Sequence, residues 1–96
     1  MINADDPILM MQKIEVRKDA IDKQYNELRA AGIKCDIERG QSDVPAVKGM
    51  HKGEPFIVYA AFITNKHDPS VWVLEVRTRY KGTEVPGDRP IKVLTK

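Results

Sequence analysis

Residues 56 to 80 read FIVYAAFITNKHDPSVWVLEVRTRY, and this stretch decides the fold. It contains two runs rich in β-branched and aromatic side chains, separated by the polar, turn-forming segment from Asn65 to Pro69. Alternate residues of a strand point to opposite faces of a sheet. The stretch therefore predicts a β-hairpin with strands at residues 56–64 and 71–80.

The length of the connecting segment predicts which residues of the two strands face each other. A loop of residues 65–69 pairs Thr64 with Ser70, and every later pair follows from that one. The face predicted to be the core then carries Phe62 opposite Trp72, Ala60 opposite Leu74 and Val58 opposite Val76. The other face is apolar near the loop and charged farther away, with Ile63 opposite Val71, Ala61 opposite Val73, Tyr59 opposite Glu75 and Ile57 opposite Arg77.

A long helix precedes these strands. Asp5 and Asp6 can cap its first turn, Pro7 suits the first helical position, and Gly32 suits the position just past its end. The predicted helix covers residues 7–31, with a core-facing stripe of Met10, Ile14, Ile21, Tyr25 and Leu28. A second apolar patch lies on nearly the opposite side of its first half and comprises Leu9, Val16 and Ala20.

The remaining segments predict shorter elements. Residues 33–38 alternate like a half-buried strand and place Cys35 inward, residues 40–55 are expected to form a long loop, and residues 90–95 alternate like a short last strand. The fold class predicted is α+β, in the order α-β-β-β-β. One long N-terminal helix packs on an antiparallel sheet of three or four strands, and residues 1–96 form a single domain.

Composition limits the classes of function. The net charge of +2 gives no global field that would require a nucleic-acid partner. The longest apolar run, Phe56 to Ile63, is far shorter than the roughly 20 residues of a membrane-spanning helix, and the N-terminus does not resemble a signal peptide. A single cysteine cannot form an internal disulfide. We therefore expect a cytoplasmic protein without a membrane partner.

One helix cannot cover both apolar faces of the predicted sheet, and large exposed apolar patches on soluble proteins usually mark partner sites. We expect self-association as a homodimer or a protein partner on the second face, through Ile57, Tyr59, Ile63, Val71, Val73, Arg77 and Arg79. An alternative is that the loop at residues 40–55 folds over that face with Val44, Val47 and Met50.

A basic strand face supports a second hypothesis, a nucleic-acid-binding module. Its candidate residues are Lys48, Lys52, Arg77, Arg79 and Lys81. Alternate basic residues on a strand can follow a phosphate backbone, and Tyr59 on the same face could stack on a base. Glu75 and Glu84 interrupt this basic surface, so the protein-binding hypothesis is preferred.

Enzymatic chemistry has little support in the sequence. Asp68, Glu75 and Arg77 superficially resemble the acidic strand of restriction-endonuclease-like nucleases, a resemblance that would imply metal-dependent phosphodiester cleavage. A plain ion pair of Glu75 with Arg77 on a solvent-exposed face is the more frequent arrangement. We expect no catalytic residue, no metal site and no cofactor. The predicted function is that of a non-enzymatic interaction module, acting as an inhibitor, adaptor or accessory subunit.

Overall fold

The computed structural model of the chain describes residues 7–39 and 45–94. It confirms the α+β class, with a long N-terminal helix packed against an antiparallel sheet. The sheet has five strands in the sequential order β1-β2-β3-β4-β5, compared with the three or four predicted. The elements are α1 (Pro7–Ala30), β1 (Cys35–Arg39), β2 (Pro45–His51), β3 (Glu54–Thr64), β4 (Trp72–Tyr80), β5 (Thr83–Pro86) and α2 (Pro90–Leu94).

Two Lys-Gly turns account for the strands that the sequence analysis missed. Lys52 and Gly53 have φ angles of 53° and 80°, and Lys81 and Gly82 have φ angles of 53° and 75°. Positive φ at both central residues is the type I′ geometry, which matches the twist of a tight hairpin. The first turn joins β2 to β3 and the second joins β4 to β5.

The prediction of a loop over residues 40–55 is therefore wrong for its second half. Residues 45–51 form β2, which pairs with both β1 and β3. Val47 is fully buried in the core and Met50 is exposed, so neither covers the second face of the sheet. Val44 lies outside the described residues.

The predicted strand at residues 90–95 is also wrong, because residues 90–94 form the short helix α2. Pro90 is compatible with the first turn of a helix, where its missing N–H is not needed. Pro90 and Leu94, four residues apart, share one side of α2 and are both buried. Alternating β-branched residues suggested a strand, but burial of this i, i+4 pair favours a helix.

The predicted hairpin exists, with a register that differs by two residues. Thr64 pairs with Trp72 and Ala60 with Val76, because the connection extends from Asn65 to Val71. The N–H of Asn65 donates a hydrogen bond to the carbonyl oxygen of Val71 over 2.9 Å. A shift of two residues leaves every side chain on its predicted face, since the side-chain period of a strand is two.

The core lies between α1 and one face of the sheet, which we call the inner face. Its buried apolar members are Ile21, Leu28, Ile33, Cys35, Val47, Phe56, Val58, Ala60, Val76, Tyr80 and Leu94. Burial of Cys35 was predicted from the alternation of residues 33–38, although β1 itself begins at Cys35.

The face of α1 that meets the sheet differs from the predicted stripe. Ile21 and Leu28 are buried as expected, whereas Ile14 is 46% exposed and Tyr25 only partly buried. Gln24 is 1% exposed, so a polar side chain lies at the centre of the contact, where the predicted stripe has only apolar residues. The side chains of Met10 and Leu9 lie outside the described part of the chain. Neither described helix is long and apolar enough to span a membrane.

The middle two strands extend beyond their neighbours. The last pair between β2 and β3 is Ala46 with Tyr59, and the last pair between β4 and β5 is Arg77 with Pro86. Residues 60–76, which we call the hairpin arm, therefore form a two-stranded projection with no third described strand beside it. The first half of α1 lies along the inner face of this arm.

Candidate protein-binding surfaces

The outer face of the hairpin arm carries two of the seven predicted partner-binding residues, and a third lies at the end of the arm. Ile63 and Val73 form a cross-strand pair, and their exposed fractions are 38% and 42%. Val71, in the loop that follows β3, is 42% exposed. Since α1 lies on the opposite face, no described element covers this apolar end of the arm.

The inner face of the arm meets α1 through basic and aromatic side chains. Nζ of Lys13 lies 3.9 Å from the ring centroid of Trp72 and 5.5 Å from that of Phe62. The guanidinium carbon of Arg17 lies 5.2 Å from the Phe62 centroid. Such cation–π contacts contribute about 0.5–1 kcal/mol each at exposed sites. This half of α1 is therefore held by weaker contacts than the Ile21 and Leu28 half.

A groove of about 380 Å³ opens between α1 and the inner face of the arm. Trp72 remains 40% exposed in it, although Lys13 lies over its ring. The remaining lining residues are Gln12, Val16, Phe62, Ser70 and Val71. Groove and outer face meet at Val71, so the end of the molecule is apolar on both sides of the arm.

A charged cluster occupies the outer face where β3, β4 and β5 lie side by side. We call it the Glu84 cluster, and it comprises Tyr59, Glu75, Arg77, Arg79 and Glu84. Glu84 accepts hydrogen bonds from the Tyr59 hydroxyl at 2.5 Å, Nη1 of Arg77 at 3.0 Å and Nη2 of Arg79 at 2.9 Å. Nε of Arg77 donates to Glu75 over 2.7 Å.

These contacts change the ionisation of the groups involved. The hydrogen bond from Tyr59, followed by those from Arg79 and Arg77, lowers the pKa of Glu84 to about 2. The same carboxylate raises the pKa values of Tyr59, Arg77 and Arg79. The cluster therefore stays ionised over the physiological range, with each arginine bonded to a carboxylate.

The predicted partner-binding residues on this part of the sheet are less available for contact with a partner than the sequence suggested. Tyr59 and Arg77 are held within the Glu84 cluster, whereas the Arg79 side chain keeps 60% of its surface exposed. Ile57 pairs with Arg79 and is only partly exposed. The structure thus separates six of the seven residues into an apolar group on the arm and a polar group around Glu84, and Ile57 belongs to neither group.

The residues of the nucleic-acid hypothesis are distributed over the other end of the sheet. Lys48, Arg79 and Lys81 line one pocket of about 420 Å³ above Ile57. Nζ of Lys48 forms an ion pair with Glu38 at 2.9 Å. Lys52 lies in the turn between β2 and β3 and is exposed. Carboxylates therefore balance Lys48, Arg77 and Arg79, which lowers the positive potential of this face.

Residues considered for catalysis have ordinary structural partners. Asp68 accepts hydrogen bonds from the hydroxyl and the N–H of Ser70 in the hairpin loop, and Ser70 lowers the pKa of its carboxyl group. Glu75 forms the expected ion pair with Arg77. Burial raises the pKa of the Cys35 thiol, which disfavours the nucleophilic thiolate. Within residues 7–39 and 45–94, no three His, Cys, Asp or Glu side chains form a group that could hold a metal.

The sequence analysis assigned no binding role to Lys13, Trp72 or Glu84. Trp72 was expected in the core, but it lies at the end of β4 where the cover provided by α1 is incomplete. The Lys-Gly pair at residues 81–82 was the available signal for Glu84, because a two-residue turn there places Glu84 opposite Arg79.

Comparison of the chain with known protein families, with curated proteins and with solved structures found no match.

Proposed function

We propose that this chain is a non-enzymatic protein-interaction module that binds a partner through the outer face of its hairpin arm. One observation carries the proposal. Ile63 and Val73 form an exposed apolar pair on a two-stranded projection that no third described strand supports. Occlusion of a partner's surface by this arm is the mechanism expected of an inhibitor or an adaptor.

The physical reason is the cost of leaving the outer apolar face of the arm in water. The inner face already packs against α1, as a two-stranded hairpin requires for stability, whereas no described element covers the outer face. Burying apolar surface stabilises a complex by about 25 cal/mol per Å² before the costs of association. A partner that covers Ile63, Val71 and Val73 would therefore stabilise both the complex and the arm.

The Glu84 cluster suits the polar rim of such an interface. Interfaces usually surround an apolar centre with polar groups that remain accessible to water. Glu75 is the cluster member closest to the arm's end along β4, two residues from Val73 on the same face. Because Arg77 and Glu84 already have partners, they need no rearrangement before a partner docks.

Nucleic-acid binding is the alternative, and the pocket lined by Lys48, Arg79 and Lys81 favours it. Phosphate binding by lysine and arginine weakens steeply as salt is added, because counterions are released. Absence of binding to single-stranded or double-stranded DNA and RNA at low salt would reject this alternative. Salt-sensitive binding lost in the variant Lys81→Glu would favour it over the protein-binding proposal.

The protein-binding proposal is tested with two charge substitutions at exposed apolar positions. Val73→Glu changes the outer face of the arm, and Met50→Glu changes a residue that is 56% exposed on β2, outside the arm. We expect immobilised wild type and Met50→Glu to retain the same protein from an extract of the source cells, and Val73→Glu to lose it. Equal retention by all three folded proteins would overturn the proposal.

A further inference from the structure

We propose that the groove beside Trp72 binds an acidic segment of a partner protein, which places an apolar side chain in the groove and a carboxylate on Lys13. The groove has a volume of about 380 Å³ and lies between α1 and the inner face of the arm. The outer face carries Ile63 and Val73 on the opposite side of the two strands. The groove is therefore a separate contact, and either proposal can fail without the other.

The first observation is that two cations of α1 face the arm without a carboxylate partner. Nζ of Lys13 lies over the rings of Trp72 and Phe62, and the guanidinium of Arg17 lies over Phe62. In the described part of the chain, neither cation forms an ion pair with a carboxylate. The outer face differs, because each arginine of the Glu84 cluster is bonded to a carboxylate there. The inner side of the arm therefore carries positive charge that no ion pair of the described residues balances.

The spacing of these cations makes an added anion favourable. Lys13 and Arg17 are four residues apart on one face of α1, and like charges at that spacing destabilise a helix. The other positions three or four residues from either cation are all apolar, so the helix itself supplies no acidic neighbour there. Arg17 also lies in the row of Ile21 and Leu28, and its Nε is buried without a hydrogen-bond partner among the described residues. A bound carboxylate would reduce the repulsion between the two cations.

The second observation is that the groove itself is mainly apolar. Most of its lining comes from Val16, Phe62, Val71 and Trp72, and Lys13 is the one charged side chain among the described residues that line it. Val16 is 46% exposed, Val71 42% and Trp72 40%, so a bound apolar side chain would remove surface of all three from water. The volume of the groove is near the lower end of the roughly 300–1,000 Å³ of small-ligand pockets, which suits the anchoring side chain of a short segment.

The position of Lys13 is fixed before a ligand binds. A lysine has a flexible four-carbon stem, and ordering such a stem costs binding free energy. Here the aromatic rings hold Nζ, which lies 3.9 Å from the Trp72 centroid, and an ammonium with three donors keeps at least one of them directed away from the rings. The neighbouring carboxylate of Asp68 accepts hydrogen bonds from Ser70 and forms no ion pair with Lys13. A partner's carboxylate can therefore bind Lys13 without displacing a described carboxylate of this chain.

Cations beside aromatic rings also occur in sites for single-stranded nucleic acid, where bases stack on the rings. In this groove the cations themselves lie over the rings, Lys13 over Trp72 and both cations over Phe62. The rest of the apolar lining is aliphatic, from Val16 and Val71, and offers contact to an apolar side chain rather than a stacking surface for a base. An acidic peptide segment therefore fits the groove better than a nucleotide does.

The single tryptophan provides the readout for a binding experiment. Trp72 is the only tryptophan of the chain, so its indole N–H gives one signal in a ¹H–¹⁵N NMR spectrum of the full chain. The probe is a peptide of sequence Glu-Phe-Leu-Asp-Glu with blocked termini, and its neutral counterpart is Gln-Phe-Leu-Asn-Gln. We expect the acidic peptide to shift the Trp72 signal saturably, with an affinity at least about tenfold higher than that of the neutral peptide. Equal affinities, or no shift at millimolar acidic peptide, would overturn the proposal.

Neutral substitutions at two lysines of α1 test the carboxylate contact. Lys13→Gln removes the charge at the groove, whereas Lys18→Gln removes a charge from an exposed position on a different side of the helix. We expect Lys13→Gln to bind the acidic peptide at least about fivefold more weakly than wild type and the neutral peptide equally well. Retained binding of the neutral peptide shows that the groove is intact in the variant. Lys18→Gln should bind both peptides as wild type does, and an unchanged preference for the acidic peptide in Lys13→Gln would contradict the contact.

A short oligothymidylate tests whether the same groove binds single-stranded nucleic acid instead. The titration is made at low salt, where phosphate binding by lysine and arginine is strongest. We expect the oligonucleotide to shift the Trp72 signal with lower affinity than the acidic peptide does under the same conditions. Tighter binding of the oligonucleotide than of the acidic peptide would assign the groove to nucleic acid and overturn the proposal.

Failure of the groove proposal is distinguishable from failure of the outer-face proposal. A wild type that binds the acidic peptide no better than the neutral one, but retains a partner protein that Val73→Glu loses, supports the outer face and rejects the groove. Conversely, binding of the acidic peptide that depends on Lys13 supports the groove even if Val73→Glu retains every protein that wild type retains.

Discussion

The Tyr59 hydroxyl donates a hydrogen bond to Oε1 of Glu84 across the whole width of β4. Tyr59 belongs to β3 and Glu84 to β5, 25 residues apart in the chain. Because the same carboxylate also bonds Arg77 and Arg79, one acidic side chain connects three strands of the outer face. The short edge strand β5 is thereby attached to the centre of the sheet by side chains as well as by its backbone.

Glu84→Gln should reduce the stability that depends on an ionised carboxylate. The folded pKa of about 2 lies below the ordinary value of 4.5, so this contribution is present above pH 4.5 and is lost as the pH falls towards 2. Urea unfolding at a series of pH values should show a smaller loss of stability over that interval in Glu84→Gln than in wild type. Glu54→Gln, at an exposed glutamate outside the cluster, serves as the control. Identical acid dependence of wild type and Glu84→Gln would contradict the assigned role.

Alkaline titration followed by tyrosine absorbance should detect the same hydrogen bond through its donor, the Tyr59 hydroxyl. Acceptance by Glu84 raises the pKa of Tyr59 above its ordinary value of 10.0. The titration step of Tyr59 is identified as the one that is absent in Tyr59→Phe. This step is expected at higher pH in wild type than in Glu84→Gln. If Glu84→Gln leaves that step at the same pH, the hydrogen bond is absent in solution.

Gly49→Ala should destabilise the fold because β2 has no room for a side chain there. A Cβ at Gly49 would lie 2.8 Å from ring atoms of Phe56 and would overlap the carbonyl oxygen of Lys34. Overpacking of this kind costs about 1–3 kcal/mol of the free energy of unfolding. Phe56→Leu should fail to restore Gly49→Ala, because the backbone oxygen remains in place. Recovery to the stability of Phe56→Leu alone would show that the carbonyl is no obstacle.

Two substitutions in α1 test which of its faces meets the sheet. Leu28 is fully buried, so Leu28→Ala should cost about 2–5 kcal/mol. Ile14 is 46% exposed, so Ile14→Ala should change the free energy of unfolding by less than about 1 kcal/mol. Both are measured by urea unfolding. Similar losses in the free energy of unfolding of the two variants would show that Ile14 faces the core in solution.

Gln24→Leu is expected to stabilise the protein by about 1 kcal/mol, because it removes a buried carbonyl that has no partner. Gln24 is 1% exposed, and its Oε1 has no hydrogen-bond partner among the described residues. Gln12→Leu is the control at an exposed glutamine and should change stability by less than about 0.5 kcal/mol. A destabilised Gln24→Leu would indicate that the amide has a required partner in solution.

The hairpin faces could be predicted because they depend on local alternation. Ile63 and Val73 lie on the outer face and Phe62 on the inner face, as the period of two requires, although the register differs by two residues. The Lys-Gly turns were missed because lysine is uncommon at positive φ, and Lys52 and Lys81 adopt it at 53°. Tight hairpins on both sides of the central pair impose that conformation.

The candidate sites could be predicted only in part. Exposure of Ile63, Val71 and Val73 agrees with the expected apolar tip, because surplus β-branched residues on a second face were visible in the sequence. The groove could not be predicted, since it depends on the rotation of α1 about its axis. That rotation places Gln24 inside and Ile14 outside, although hydropathy alone favours the reverse.

The sequence by itself determined the α+β class, the extent of the long helix to within a residue, and the two faces of the central hairpin. These depend on side-chain periodicity, which is a property of neighbouring residues. Tertiary structure alone decided the pairing register, the face of α1 that meets the sheet and the assembly of the Glu84 cluster. Each of these brings together residues far apart in the chain, and their energies depend on contacts that exist only after the sheet and helix have packed.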